Sequence, residues 1–249
     1  PPILAIPTTY AGSEMTPIWG LTEDGVKRTG RDPRVLPRCT IYDPALTFGL
    51  PARLAAASGM NAIAHAVETL YAPDGNPLIA LAAEDGIAAL ARSLPAIVRR
   101  PDDAEARGQA LYGAWLCGVC LGSASMSLHH KLCHTLGGTF NLPHAETHGV
   151  VLPHAAAYNA QAAPDALARA ARALGCDDAA AGLYVLAGEL GLERSLAALG
   201  LREDDLSAAA DLATRNPYAN PRPVTPEGVR ALLDDAFHGR RPRPWPASR

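Results

Sequence analysis

Residues 59–68 read Gly-Met-Asn-Ala-Ile-Ala-His-Ala-Val-Glu, and residues 127–138 read Ser-Leu-His-His-Lys-Leu-Cys-His-Thr-Leu-Gly-Gly. In each stretch two polar side chains stand four residues apart among mostly small or apolar neighbours: Asn61 and His65, then His130 and His134. On a helix, positions i and i+4 lie about 5 to 6 Å apart on one face, so both side chains can contact one small object. The two stretches therefore predict helices that each bring a polar pair to a site.

A further imidazole, His144, follows Pro143 at a predicted helix start. A lone histidine on an apolar helix is more often a hydrogen-bonded core residue than a functional group, but several at these spacings favour one convergent site. The remaining histidines lack such pairing. We interpret His129, His148 and His154 as surface or supporting residues. His238 is suited to the C-terminus of a helix, where its partial positive charge interacts favourably with the helix dipole.

The pattern changes at Asp43-Pro44, and this change predicts the fold class. Before it, four short strands are expected, two of which form a hairpin around an Asp-Gly turn. After it, alanine and leucine dominate, and the punctuation predicts about eight helices, with capped starts at Asn-Pro or Thr-Pro and stops at glycines. The strands are residues 3–6, 18–22 with 26–29, and 38–42; the helix starts are Asn76-Pro77 and Thr225-Pro226; the stops are Gly137-Gly138 and Gly239. We expect a mainly α chain, in which residues 1–45 end an α/β domain and residues 46–249 form a helical domain.

The composition excludes several classes of protein. The chain has 249 residues, 48% hydrophobic and 19% charged, with a formal net charge of -3, so neither nucleic acid nor an anionic membrane is favoured as a partner. No apolar run reaches the roughly 20 residues of a membrane helix. Five cysteines are too few for a disulfide scaffold, and we expect reduced thiols in a cytoplasmic protein, with Cys117 and Cys120 as buried residues rather than a redox or zinc pair. The chain opens on Pro1, and we expect it to be N-terminally truncated.

The order of these motifs resembles the iron-type alcohol dehydrogenase superfamily. The resemblance implies the helical C-terminal domain of the dehydroquinate synthase-like fold, NADH or NADPH as cofactor, and a homodimer. It places the superfamily's metal ligands at Asn61, His65, His130 and His144, with His134 beside nicotinamide and substrate. It also implies cofactor contacts in the loop Pro7–Pro17, at Thr8, Thr9, Gly12 and Ser13, and further along the chain at Lys27 and Leu46.

Asn61 departs from the superfamily, which has an acidic ligand there. An amide with three neutral imidazoles brings no negative charge to a divalent cation, so affinity should fall steeply. The chain is similar in this to the maleylacetate reductases, which implies a site without metal. It also implies reduction of the C=C bond of maleylacetate, and of chlorinated analogues, to 3-oxoadipate in aromatic degradation.

For this chemistry we expect His134 to donate the proton, with Tyr10 as runner-up, beside His65, His130 and His144. Asn61, Lys131 and Arg222 are the candidates to bind the small dicarboxylate substrate. The chain does not decide between NADH and NADPH, because the residues that read the ribose would precede Pro1. For the same reason we expect the chain alone to be inactive and to bind NADH poorly.

Three alternatives stay open at this point. A metal-dependent (Fe or Zn) alcohol dehydrogenase could use the carbonyl oxygen of Asn61 as a ligand. A lyase of the dehydroquinate synthase type shares the architecture but needs the metal site that Asn61 weakens. A catalytically inactive fragment is the third.

Overall fold

The computed structural model describes residues 2–23 and 26–245, without the side chains of residues 22–29. Within these residues the chain is mainly helical, as predicted, with nine α-helices where about eight were expected. They are α1 Ala52–Leu70, α2 Pro77–Arg99, α3 Ala104–Ser123, α4 Leu128–Phe140, α5 His144–Asn159, α6 Pro164–Leu174, α7 Ala179–Glu189, α8 Leu206–Thr214 and α9 Pro226–Phe237.

Four short strands precede the helices. Strands β2 (Ile18–Glu23) and β3 (Val26–Arg31) form the predicted antiparallel hairpin; its turn residues, Asp24 and Gly25, lie outside the described residues. Strands β1 (Leu4–Ala5) and β4 (Cys39–Thr40) pair in parallel, and β4 is shorter than the predicted strand at 38–42. This pair leaves several large apolar side chains exposed, which fits the expected end of a larger sheet: Ile3, Leu4, Ile6 and Ile41. The domain boundary at residue 45 stays a prediction.

The capped helix starts are confirmed. The side chain of Asn76 accepts hydrogen bonds from the backbone N–H groups of the first turn of α2, and Thr225 does the same for α9. Gly239 takes a left-handed φ of 63° just after α9, as expected of a helix stop. The predicted stop at Gly137-Gly138 is wrong. Helix α4 continues through both glycines to Phe140 and ends at Asn141, which takes the left-handed conformation itself.

Helix α1 lies at the centre of the bundle and packs against α2, α3, α4, α5 and α6. Nearly every residue from Ala55 to Thr69 is buried, and many of them are alanines. Small side chains let neighbouring helices approach from several sides. Because α1 is central, the polar residues that it carries face the interior of the protein.

The loop before β2 packs closely against α3. Gly12 has a left-handed φ of 77°, and a Cβ atom built on Gly118 would lie 2.3 Å from the backbone oxygen of Gly12. Only two glycines permit this approach. The contact fixes the position of the neighbouring residues Ala11 and Ser13, which contribute to the site described below.

The cysteines behave as structural residues. All five are free, and Cys117 and Cys120 are buried in α3. Burial raises the pKa of Cys120 to about 12, and it raises that of Cys117 well above its usual value. These thiols are therefore protonated and unreactive at neutral pH.

Within the described residues, no helix has by itself the length and hydropathy needed to cross a membrane. Only α3 and α4 taken together pass that test, and they are bent by 95° relative to each other.

The close approach of loop and helix predicts opposite effects for two Gly→Ala substitutions in α3. Gly118→Ala places a methyl group against the backbone of Gly12 and should lower the unfolding free energy by about 1 to 3 kcal/mol. Gly108→Ala meets only the side chain of Pro44 at 3.6 Å. It should raise stability by about 0.5 to 1 kcal/mol, the ordinary gain of alanine in a helix. Urea unfolding of both variants checks this, and a Gly118→Ala variant as stable as Gly108→Ala would contradict it.

Candidate active site

A cavity of about 730 Å³ lies where the loop before β2 meets α1, α4, α5 and the linker from α3 to α4. The polar pairs singled out in the sequence meet here. The residues around this cavity are Ala11, Ser13, Ile18, Arg31, Asn61, His65, Asp74, residues 121–126, His130, His134, His144 and His148.

The imidazoles from three helices form a continuous cluster. The rings of His65 (α1) and His130 (α4) stack with their centroids 4.8 Å apart. The ring of His134 lies 6.2 Å from that of His130 and stacks on His144 of α5, also at 6.2 Å. The predicted convergence of these four histidines is therefore present in the structure.

Two histidines that we interpreted as surface or supporting residues belong to the same cluster. His148 lies one turn after His144, borders the cavity, and has its Nε2 atom 3.2 Å from that of His144. His129 is fully buried, with its Nε2 atom 3.2 Å from the backbone oxygen of His148. His154 is also buried, but away from the cavity. The signal for His148 was available, because His144 and His148 show the same four-residue spacing as the other pairs.

Glu68 is a polar residue of the site that the sequence reasoning missed. Its carboxylate is fully buried and accepts hydrogen bonds from the backbone N–H groups of Ser127 and His129, both at 2.8 Å. The Nδ1 atom of His130 lies 2.8 Å from the same carboxylate. Glu68 therefore ties α1 to the first turn of α4 and holds the ring of His130. A carboxylate three residues after His65, in an otherwise apolar stretch, was the available signal.

Burial keeps most of the cluster uncharged. It lowers the pKa of His130 to about 3, helped by repulsion from His134 and His144, and lowers that of His129 to about 3. The pKa values of His65 and His148 also lie well below the usual range, mainly through burial. Neutral imidazole has one N–H donor and one lone pair. Since Nδ1 of His130 faces Glu68, the hydrogen lies there and the lone pair is on Nε2.

Burial also raises the pKa of Glu68, against the opposing effects of His129 and of the backbone N–H groups. We assign the ionised form to Glu68, because the two backbone N–H groups, the imidazole of His130 and the hydroxyl of Tyr71 can all donate to it and none needs a carboxyl hydrogen.

Four buried polar atoms of the cluster have no hydrogen-bond partner within the described residues: Asn61 Oδ1, His65 Nδ1, His130 Nε2 and His148 Nδ1. Such buried atoms are costly unless a ligand or water satisfies them. Since their residues all border the cavity, a polar ligand bound there can satisfy them.

The donor set fits a tightly bound divalent cation poorly. A ring held by a carboxylate, as His130 is by Glu68, is common among metal-binding histidines. However, Asn61 supplies a neutral amide where an anionic oxygen is needed. His65, His130 and His144 also do not together form a described group whose ligand atoms all lie within 4.8 Å of one another, whereas His130 forms such a group with Glu68 and His129.

Three candidate residues lie away from the cavity. The hydroxyl of Tyr10 is buried between Thr47 and Arg107 and is not exposed to the cavity. The guanidinium of Arg222 lies over the rings of Tyr158 and Trp245. Lys131 follows His130 but is not among the cavity residues, since adjacent side chains on a helix diverge by about 100°. These positions argue against Tyr10 as proton donor and against Lys131 and Arg222 as substrate contacts.

The residues expected to contact the cofactor differ in their exposure and in their distance from the cavity. Ser13 borders the cavity, and Thr8, Thr9 and Leu46 are exposed. Gly12 is buried against α3, so its role in the structure is to permit that packing. The side chain of Lys27 lies outside the described residues.

A family model described as the C-terminal part of the Fe-containing alcohol dehydrogenase family matches residues 55–237. The chain belongs to the iron-containing alcohol dehydrogenase family. Within this family, it is 63% identical to the maleylacetate reductase of Sphingobium indicum and 61% identical to that of Burkholderia cepacia. These matches cover 96% and 97% of the chain and 68% of each relative.

The fold is that of solved members of the iron-containing alcohol dehydrogenase family. The crystal structure of maleylacetate reductase from Rhizobium sp. strain MTP-10005 superposes with a TM-score of 0.94 at 56% identity. The match covers 97% of this chain and 69% of that one. The predicted fold class is confirmed.

The contacts of Glu68 predict that its charge is structural. Glu68→Gln replaces one acceptor oxygen with an NH₂ group that faces other donors, and should lower the unfolding free energy by about 1 to 3 kcal/mol. Glu84→Gln is the matched control, because Glu84 forms a partly exposed ion pair with Arg169. That change should cost less than about 1 kcal/mol. Equal stability of the two variants in urea unfolding would show that Glu68 is not the anchor described here.

Proposed function

We propose that this chain forms the helical part of the catalytic site of a maleylacetate reductase. The enzyme would reduce the conjugated C=C bond of maleylacetate to give 3-oxoadipate, with NADH or NADPH as the hydride donor. The observation that carries the proposal is Asn61, an amide among convergent imidazoles, in a chain whose named relatives are maleylacetate reductases.

The reaction sets three requirements for the site. Hydride adds to the alkene carbon β to the ketone, negative charge develops on the ketone oxygen, and a proton is then added to the carbon next to the ketone. The site must therefore bind a dianion, stabilise an enolate oxygen with hydrogen-bond donors, and supply a proton.

The polar groups at the buried end of the cavity suit a dianionic substrate. The amide of Asn61 can donate through its NH₂ group, whereas a carboxylate at this position would repel the substrate. Neutral His130 presents the lone pair of Nε2 to the cavity, so this ring can donate to a carboxylate only when Nε2 is protonated. A bound dicarboxylate would favour protonation of nearby imidazoles and so create further donors.

His134 remains our candidate for the proton donor. It borders the cavity and is exposed, unlike the buried His65 and His130. An exposed imidazole can be reprotonated from water after each turnover, and histidine is suited to proton transfer near neutral pH. His144 stacks on it and is also exposed.

We further propose that the enzyme works without a metal ion. The neutral donor set described above supports this, in contrast to the carboxylate that a hard cation prefers. A homodimer and a cytoplasmic location are also proposed. The free cysteines support a reducing compartment.

The direct test of the proposed function is an assay of the full-length protein with maleylacetate, following nicotinamide absorbance with and without a chelator. We expect turnover with maleylacetate, unchanged by the chelator, and no stoichiometric metal in the purified protein. Turnover of a simple alcohol that is lost with the chelator would instead support a metal-dependent alcohol dehydrogenase.

The role of His134 predicts a selective loss of turnover. His134→Gln should lower kcat by about 10²- to 10⁴-fold, the usual contribution of a general acid, and leave the Kd for NADH unchanged. His238→Gln is the control, since His238 lies at the end of α9 and contacts Asp234. Near-normal turnover of His134→Gln would remove this residue from the mechanism.

A further inference from the structure

Arg31 is a charged side chain at the cavity that the sequence reasoning did not single out. It is the last residue of β3, and it borders the same cavity as Asn61 and the histidines of α1, α4 and α5. Among the described cavity residues it is the only arginine or lysine. The cavity therefore has a cationic group besides its neutral imidazoles.

The position of Arg31 is fixed by the last turn of α3. Its Nη2 atom donates to the backbone oxygen of Gly122 at 3.1 Å. Gly122 itself packs closely against the loop before β2, since a Cβ atom built on Gly122 would lie 2.7 Å from the backbone oxygen of Met15. One bond to a carbonyl uses one of the five N–H donors of a guanidinium and leaves the others available.

Arg31 forms no ion pair with an acidic side chain within the described residues, whereas Arg34, three residues further along, pairs with Asp32. Among the described residues that border the cavity, the one carboxylate is that of Asp74, and it is engaged by Ser125. It accepts hydrogen bonds from the backbone N–H of Ser125 at 2.9 Å and from the Ser125 hydroxyl at 2.6 Å. An exposed guanidinium that borders a cavity, with one hydrogen bond to the backbone and no counter-ion among the described residues, is suited to bind an anion in a bidentate manner.

We propose that Arg31 binds one of the two carboxylates of the substrate and so determines the preference for a dicarboxylate. This inference rests on the function proposed above. Asn61 and the histidines then face the reacting part of the molecule, and Arg31 holds one end of it. A substrate with a carboxylate at each end would be favoured over a simple alcohol or aldehyde, which gains nothing from the guanidinium.

The test is steady-state kinetics of the full-length protein and its Arg31→Gln variant, with maleylacetate and NADH varied in turn. Loss of a charge-assisted bidentate contact should raise KM for maleylacetate by about tenfold to a hundredfold. KM for NADH and kcat should change by less than about threefold, because a uniform binding contact affects KM alone. Arg31→Lys keeps the charge without the planar fork and should recover part of the affinity.

Arg34→Gln is the matched control. It removes the same charge three residues further along, where Arg34 is exposed and paired with Asp32 at 2.5 Å. Its kinetics should equal those of the unmodified protein. Circular dichroism and the Tm of each variant confirm folding, and Arg31→Lys keeps the test valid if Arg31→Gln is unstable.

Two results would overturn the role of Arg31. In the first, Arg31→Gln has the same kinetics as Arg34→Gln. In the second, Arg31→Gln raises KM for NADH alone, which would assign the guanidinium to a cofactor phosphate. Either result leaves maleylacetate turnover by the unmodified protein intact. Failure of the proposed function differs, since the unmodified protein itself would then not turn over maleylacetate.

Discussion

The contact between Glu68 and the first turn of α4 is the interaction on which the site depends. A fully buried carboxylate is costly unless its oxygens are hydrogen-bonded, and here two backbone N–H groups and an imidazole satisfy them. These three bonds join the central helix α1 to α4. They also fix the ring of His130, against which His65 stacks. Without this anchor, the polar pairs on the two helices would have no fixed relation to each other.

The charge of the buried cluster follows from the same constraint. One carboxylate is already present beneath the histidines, and it is taken up entirely by the protein. The described residues that border the cavity from α1 are Asn61, a neutral amide, and His65. The cavity therefore offers amide and imidazole groups to a ligand rather than an anionic oxygen. This distribution disfavours a hard divalent cation, and an anion bound there would favour protonation of the imidazoles and so gain donors.

Much of the fold could be predicted from the sequence, because its signals are local. The hairpin of β2 and β3, the capped starts of α2 and α9 and the glycine after α9 all depend on residues close in the chain. The glycine pair within α4 was misleading, since packing can override the low helix propensity of glycine. The convergence of His65, His130, His134 and His144 followed from spacing together with a family resemblance.

The remaining features depend on contacts between distant residues. Tyr10 was expected at the site, but its hydroxyl is satisfied by Thr47 and Arg107, a contact that no local pattern indicates. Arg222 is likewise placed over aromatic rings by the packing of the C-terminal segment. Glu68 looked like an ordinary helix residue, since its partners lie about sixty residues further along the chain.

The central claim is that an amide and imidazoles from three helices form a metal-free pocket for a dicarboxylate. A crystal structure of the full-length protein with NADH and a non-reducible dicarboxylate, including anomalous data at the iron and zinc edges, tests it most directly. We predict that the dicarboxylate lies in the cavity against Asn61 and the histidines, with no anomalous peak among them. A metal peak between Asn61, His65 and His130, or a dicarboxylate bound elsewhere, would contradict the account.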